Sequence, residues 1–212
     1  MMTGRKVASG EGTGDNMHRS VPPMDRRRAR GLRTRLDLVE AVIQLIDEGD
    51  RRPTAYRTAR RAGVSVRTVY NQFAGVEALL HGAVELQTRR HRALVAFVPP
   101  HGPVDVRIRA TCRQRRQLFE TIGPVLAVVY AMTRGSTAFH EALRDHRSRL
   151  RNQLNRTLGP EIGAWGGDAD WLLGNLEVTT DWQWWHTLRV DHGHSAQMAE
   201  RMMAFTVASL LR

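Results

Sequence analysis

Between Pro53 and Phe73 the chain signals a helix twice within one short stretch, and no other segment constrains the fold as tightly. Thr54 offers a capping hydroxyl to a helix over about 55–62; Gly63 ends that helix, and Ser65 caps a second over about 66–72. Ala59 is small where two such helices would cross. Gly63 can take the positive φ of a tight turn between them, and Val64, Val69 and Phe73 are apolar positions that lock the second helix onto the first. This is the spacing of a helix-turn-helix. The other face of the second helix carries Val66, Arg67, Thr68, Tyr70, Asn71 and Gln72, whose hydroxyl, amide and guanidinium groups can bond base edges or phosphates.

The rest of the chain also has a helical period. Upstream, Leu36, Val39, Val42 or Ile43 and Ile46 recur at three- and four-residue steps and stop at Gly49. Downstream, Val76, Leu79, Leu80, Ala83, Val84 and Leu86 open a helix expected to run to about Val98, where Pro99-Pro100 stops it. The same logic predicts helices over 104–121, 124–132, 136–158, 168–190 and 195–211, divided by Gly123-Pro124, Arg134-Gly135, Gly159-Pro160 and His192-Gly193. No stretch alternates with a period of two for long enough to be a strand. The expected fold is therefore all-α, with a three-helix helix-turn-helix domain over 25–80 and a helical domain over 81–212. Residues 1–24 are poor in large apolar side chains and are expected to form a disordered tail, within which Met17 and Met24 are alternative starts. Gly10-Glu11-Gly12-Thr13-Gly14 lacks the preceding strand and following helix of a phosphate loop.

Charge narrows the partner. The net charge is +11, and it is uneven: residues 1–92 hold 18 Lys/Arg against 10 Asp/Glu, net +8, and residues 93–212 hold 14 against 11, net +3. A basic surface in the first half points to nucleic acid before any other partner. Arg19, Arg26, Arg27, Arg28, Arg30, Arg33 and Arg35 precede the first predicted helix, and two readings stay open for them: an arm following DNA, or a solvated tail. All basic residues but Lys6 are arginine, a bias that extends along the whole chain and reads mainly as a genome-composition effect. No apolar run approaches the roughly 18 to 20 residues of a membrane span. With no secretory signal and a single cysteine, Cys112, a soluble protein of the reducing cytoplasm is expected, without membrane partners.

Residues from about Arg33 to Leu86 resemble the DNA-binding domain of the tetracycline-repressor (TetR) family of bacterial regulators. The family's run stands here as Ala62-Gly63-Val64-Ser65, Thr68-Val69-Tyr70, Phe73 and Glu77-Ala78-Leu79, and Ala41, Leu45, Ile46 and Gly49 agree with its first helix. The resemblance implies that 66–72 is the recognition helix, with Thr68 and Tyr70 at positions that commonly contact the DNA backbone. Three positions depart from the pattern: Thr58 for an isoleucine, Arg67 for a glycine or proline, and Val76 for a phosphate-binding lysine. Arg67, Arg57 or the N-terminal tail would supply the missing charge. The expected DNA contacts are thus Arg57, Val66, Arg67, Thr68, Tyr70, Asn71 and Gln72.

The C-terminal two-thirds carry no family motif. Trp171, Asn175, Thr179, Trp182 and His186 are spaced along one face of the helix predicted over 168–190, and Met198, Met202, Phe205, Ser209 and Leu210 form a stripe on the last. These two helices resemble the pair that forms a four-helix dimer interface in the family, so a homodimer through them is expected. Phe119, Tyr130, Phe139 and Trp182, with His140, Asn175 and His186 as polar groups, are the expected lining of a site for an apolar or aromatic inducer. The expected function is a ligand-released repressor on a palindromic operator; the alternative is a nucleoid-type DNA-binding protein without a ligand.

An enzyme is not expected, and neither is a cofactor or metal. His140-Glu141 and His146 lack the four-residue histidine spacing of a zinc-protease helix, and Cys112 has no identifiable histidine base.

Overall fold

A computed structural model describes residues 23–95, 98–133 and 137–212. Nine α-helices are found among them: α1 (Pro23–Asp47), α2 (Ala55–Arg61), α3 (Val66–Gln72), α4 (Val76–Arg90), α5 (Val104–Thr133), α6 (Thr137–Ala164), α7 (Ala169–Thr179), α8 (Trp182–His186) and α9 (Ala196–Leu210). A 3₁₀ turn, Arg92–Val95, follows α4, and a π turn, Thr187–Asp191, follows α8. No strand occurs among the described residues, so the fold is all-α as expected. The predicted tail lies outside the described residues up to position 22.

Helix boundaries differ from the sequence reading at several places. The first helix starts at Pro23 rather than near Leu36, so Arg26 to Arg35 are helical, and α4 ends at Arg90 rather than near Val98. Gly123-Pro124 and Gly159-Pro160 were expected as breaks, yet α5 and α6 run through both. Pro124 and Pro160 are exposed, and so are Glu120 and Arg156 one turn before them, where a carbonyl without its helical N–H can meet water. Gly123 is needed for close approach rather than for flexibility: a Cβ there would stand 3.0 Å from the Trp182 ring.

The single helix expected over 168–190 is instead three pieces. The Thr180 hydroxyl donates to the Leu176 carbonyl at 2.8 Å and α7 stops. Asp181 then caps α8 by accepting from the Trp182 backbone N–H at 2.7 Å. The break turns Trp182 inward, while Trp171, expected on the same face, stays 54% exposed. The five residues proposed as one stripe are therefore split between the surface and the core.

Two apolar clusters result. The head cluster joins Leu38, Val42 and Ile46 of α1, Ala59 of α2, Val69 of α3 and Leu79, Leu80 and Ala83 of α4. The body cluster joins α5, α6, α7, α8 and α9 around Phe119, Leu154, Leu172, Trp185 and Met203. Helix α5 belongs to both. Ile108, Cys112, Leu118, Phe119, Ile122 and Leu126 lie in the body cluster, while Val125, Val128 and Val129 complete the head cluster. At about 1.5 Å per residue α5 is roughly 45 Å long, and it is buried around most of its circumference.

Candidate nucleic-acid interface

The helix-turn-helix is built by local bonds that the sequence announces. The Thr54 side chain accepts from the Arg57 N–H at 3.2 Å, and the Ser65 side chain accepts from the Thr68 N–H at 3.1 Å. Between the helices Gly63 takes a φ of +68°, which lets the Val64 N–H reach the Ala59 carbonyl at 3.0 Å. Thr58, the departure from isoleucine, is fully buried, and its hydroxyl donates to the Thr54 carbonyl at 2.9 Å. Its hydrogen bond stays within the helix while the methyl packs, so the substitution leaves no buried polar group unsatisfied.

Helix α3 is anchored through Val69, 0% exposed, and through the cap residue Phe73. Its other side is open: Arg67 and Asn71 are exposed, Tyr70 is 59% exposed, and Val66, Thr68 and Gln72 are half-buried. The Thr68 hydroxyl lies 2.9 Å from that of Ser65, fixing its position beside the helix N-terminus.

The arginines around this face have different fates. Arg57, an expected DNA contact, bonds the Arg52 carbonyl and pairs with Asp50 at 3.2 Å, closing the loop between α1 and α2. Arg61 is held by Glu48, whose carboxyl the guanidinium's hydrogen bond keeps below the usual carboxylate range. Among the described residues Arg60 and Arg67 have no ion-pair partner, and both are exposed. Tyr56, on the first turn of α2, is as exposed as Tyr70 and was not singled out from the sequence. Its signal was available: in a helix whose Ala55, Thr58 and Ala59 are buried, position 56 falls on the opposite face.

The expected ligand residues do not form one group. Phe119, Trp182 and His186 come together: Phe119 meets Trp182 edge-on at 5.8 Å, and Trp182 lies 5.1 Å from the His186 ring. The His186 Nδ1 is buried without a hydrogen-bond partner. Tyr130 stands near this group, beside Arg147 and Asp181, which pair at 3.0 Å; burial pushes its phenol well above the ordinary range. Asn175 donates to the Trp171 carbonyl of its own helix, and His140 is exposed on α6. The side chain of Phe139 lies outside the described residues. A surface groove of about 300 Å³ is found elsewhere, between the start of α5 and α9, lined by Ile108, Arg109, Arg201, Ala204, Phe205 and neighbours.

The body also buries charge. Arg107 is clamped by Glu161, by the Thr157 carbonyl at 2.6 Å and by the Gly102 carbonyl at 3.1 Å. Arg115, 0% exposed, has only neutral acceptors: Gln153 Oε1 at 2.9 Å and the Leu150 carbonyl at 3.3 Å, with its Nε unpaired. Burial lowers its pKa to about 10. Cys112 is likewise fully buried, and desolvation pushes its thiol up to about 12, so it is not a ready nucleophile. Among the described residues no cluster of His, Cys, Asp or Glu is arranged to hold a metal, and no helix is long and apolar enough to cross a membrane.

No protein-family profile and no curated protein matches the chain. A solved structure does: a candidate TetR-family transcriptional regulator from Mesorhizobium loti MAFF303099, with a TM-score of 0.57 and 15% identity, covering 86% of this chain and 96% of that one. The likeness extends over both head and body, and it agrees with the motif read between Ala62 and Leu79: this chain has the fold of a TetR-family regulator.

Proposed function

We propose that the protein is a DNA-binding transcriptional regulator acting as a homodimer and, as a repressor, released from a palindromic operator by a small apolar or aromatic ligand. The observation that carries the first part is α3: capped by Ser65, pinned by Val69 and Phe73, and presenting Arg67, Tyr70 and Asn71 to solvent. Amide side chains read bases and arginines and tyrosines hold phosphate. Selection from a randomised duplex pool tests it. An enriched palindrome is expected; Asn71→Ala should relax the preference, and Arg67→Ala should weaken binding to all sequences alike. Equal affinity for every sequence would favour the nucleoid-type reading instead.

Dimerisation is supported by the outward faces of α7 and α9. Trp171, Gly174 and Val178 follow one another at helical steps, and on α9 Met198 and the 70% exposed Phe205 lie opposite buried Ala199, Met203 and Val207. Two adjacent helices with apolar outer faces suit a self-complementary interface. Sedimentation should show a dimer that Phe205→Arg converts to a folded monomer.

Release by ligand is supported by α5, which shares its length between the two cores: a displacement around Phe119 and Trp182 would be transmitted to Val125, Val128 and Val129 under the head, alongside α4. All five tryptophans lie in the body, so their fluorescence reports on it alone. A screen of apolar metabolites should yield a compound that changes this fluorescence and weakens operator affinity together. A compound that did the first without the second would break the coupling.

A further inference from the structure

Because α1 begins at Pro23, the arginines upstream of the head are displayed at helical spacing, and they divide between two faces. Arg28, Arg35 and Val42 stand seven residues apart, two turns each, and so fall on nearly one line along the helix. Val42 is buried in the head core. Arg35, next along the line, lays its guanidinium 4.0 Å over the Phe73 ring and bonds the Gln72 carbonyl at the end of α3. Arg28 is therefore about 10 Å further along the axis, on the side where α1 meets the recognition helix. Arg27 flanks it. Both are exposed and have no ion-pair partner among the described residues.

The opposite face differs. Arg26, Arg30 and Arg33 continue into Asp37 and Glu40, and Glu40 is bonded to Arg90 at 2.9 Å. That line runs into acids and the Glu40–Arg90 pair, whereas the Arg28 line runs through Arg35 to the end of α3. Where the α1 stripe leaves the core it changes from apolar to arginine: Arg35 packs on Phe73, and Arg28 beyond it leaves fixed positive charge beside α3.

We propose that this face of α1, centred on Arg27 and Arg28, is a second contact surface for duplex DNA, holding backbone phosphates next to the segment engaged by α3. The proposal rests on α3 being the recognition helix. The partner is double-stranded nucleic acid because the surface offers exposed guanidinium groups at fixed spacing beside the open face of α3.

The experiment compares two double variants that remove the same charge from opposite faces, Arg27→Ala/Arg28→Ala and Arg30→Ala/Arg33→Ala. Alanine favours helix, and circular dichroism verifies that α1 persists. Anisotropy of a labelled random-sequence duplex of about 30 base pairs, read against salt, gives the slope of log affinity on log salt, which becomes shallower by about 0.9 for each phosphate the protein no longer neutralises. The expected result is a slope shallower by about 1 to 2 for the first variant and unchanged for the second. Equal changes in both would mean that the arginines act only through net charge, and no change in either would mean that they do not touch DNA; each overturns the proposal. A wild-type chain that bound no duplex at any salt would instead overturn the recognition-helix reading, and the proposal with it.

Discussion

In the head, Thr58 is the one buried polar side chain found among the described residues of α1 to α3, and its hydrogen bond stays within its own helix. In the body, Arg107, Gln114, Arg115, Gln153, Thr157 and Asp181 are buried together with the apolar cluster, and their partners come from distant parts of the chain. The arginines follow the same division. Those of the body are mostly spent on cross-links between helices: Arg116 to Glu200, Arg147 to Asp181, Arg151 to Glu177 and Arg189 to Glu120. In the head and its α1 extension, Arg27, Arg28, Arg60 and Arg67 remain without counter-ions among the described residues. The head is held by local bonds and shape, leaving its charge for a partner; the body uses charge to fix which helix lies against which.

The comparison can be broken most severely at α5. If that helix ties head to body, Leu38→Ala, deep in the head cluster, should cost about 3 kcal/mol and also move the tryptophan-detected urea transition, although every tryptophan lies in the body. Separate transitions by fluorescence and circular dichroism would show instead that the two cores fold independently.

The body's two buried arginines sharpen the contrast next. Arg107→Ala strips a carboxylate and two carbonyls of their donor and should cost about 3 kcal/mol. Arg115→Met removes a buried cation with no carboxylate bonded to it, and should cost nothing or stabilise by about 1 kcal/mol. Thermal melts at neutral pH distinguish these outcomes; an equal loss from both would mean that Arg115 is as structural as Arg107.

A smaller effect separates the regions by pH. The folded Cys112 thiol keeps its proton up to about 12, whereas an unfolded thiol releases it near 9. Folding therefore loses stability as pH rises above 9, by about 1 kcal/mol over the first unit. Cys112→Val should flatten that part of the stability profile, while substitutions in the head leave it unchanged. The smallest expected change is Ser65→Ala, which removes the α3 cap and should cost about 1 kcal/mol or less while lowering DNA affinity.

The sequence by itself determined the head. Thr54, Gly63 and Ser65 act on residues three to five positions away, so their caps and turn are local facts, and the exposed face of α3 follows from the buried one. It also determined that the rest is helical, because the apolar period is a property of each segment. What only the tertiary structure decided was where those segments continue, break and meet. Pro124 and Pro160 do not interrupt their helices because their outer sides face water and their inner sides are packed. The Thr180-Asp181 break sends Trp182 inward and leaves Trp171 outside, which parted the residues expected along one helix face. Arg57 is closed by Asp50, while Arg28 is lined up beside α3 by a helix that starts 13 residues before Leu36. The break and the Arg57 pair are made by short-range bonds that an apolar period does not record, and the burial of Trp182 and the placing of α1 beside α3 depend on residues far apart in the chain, which neither composition nor periodicity records.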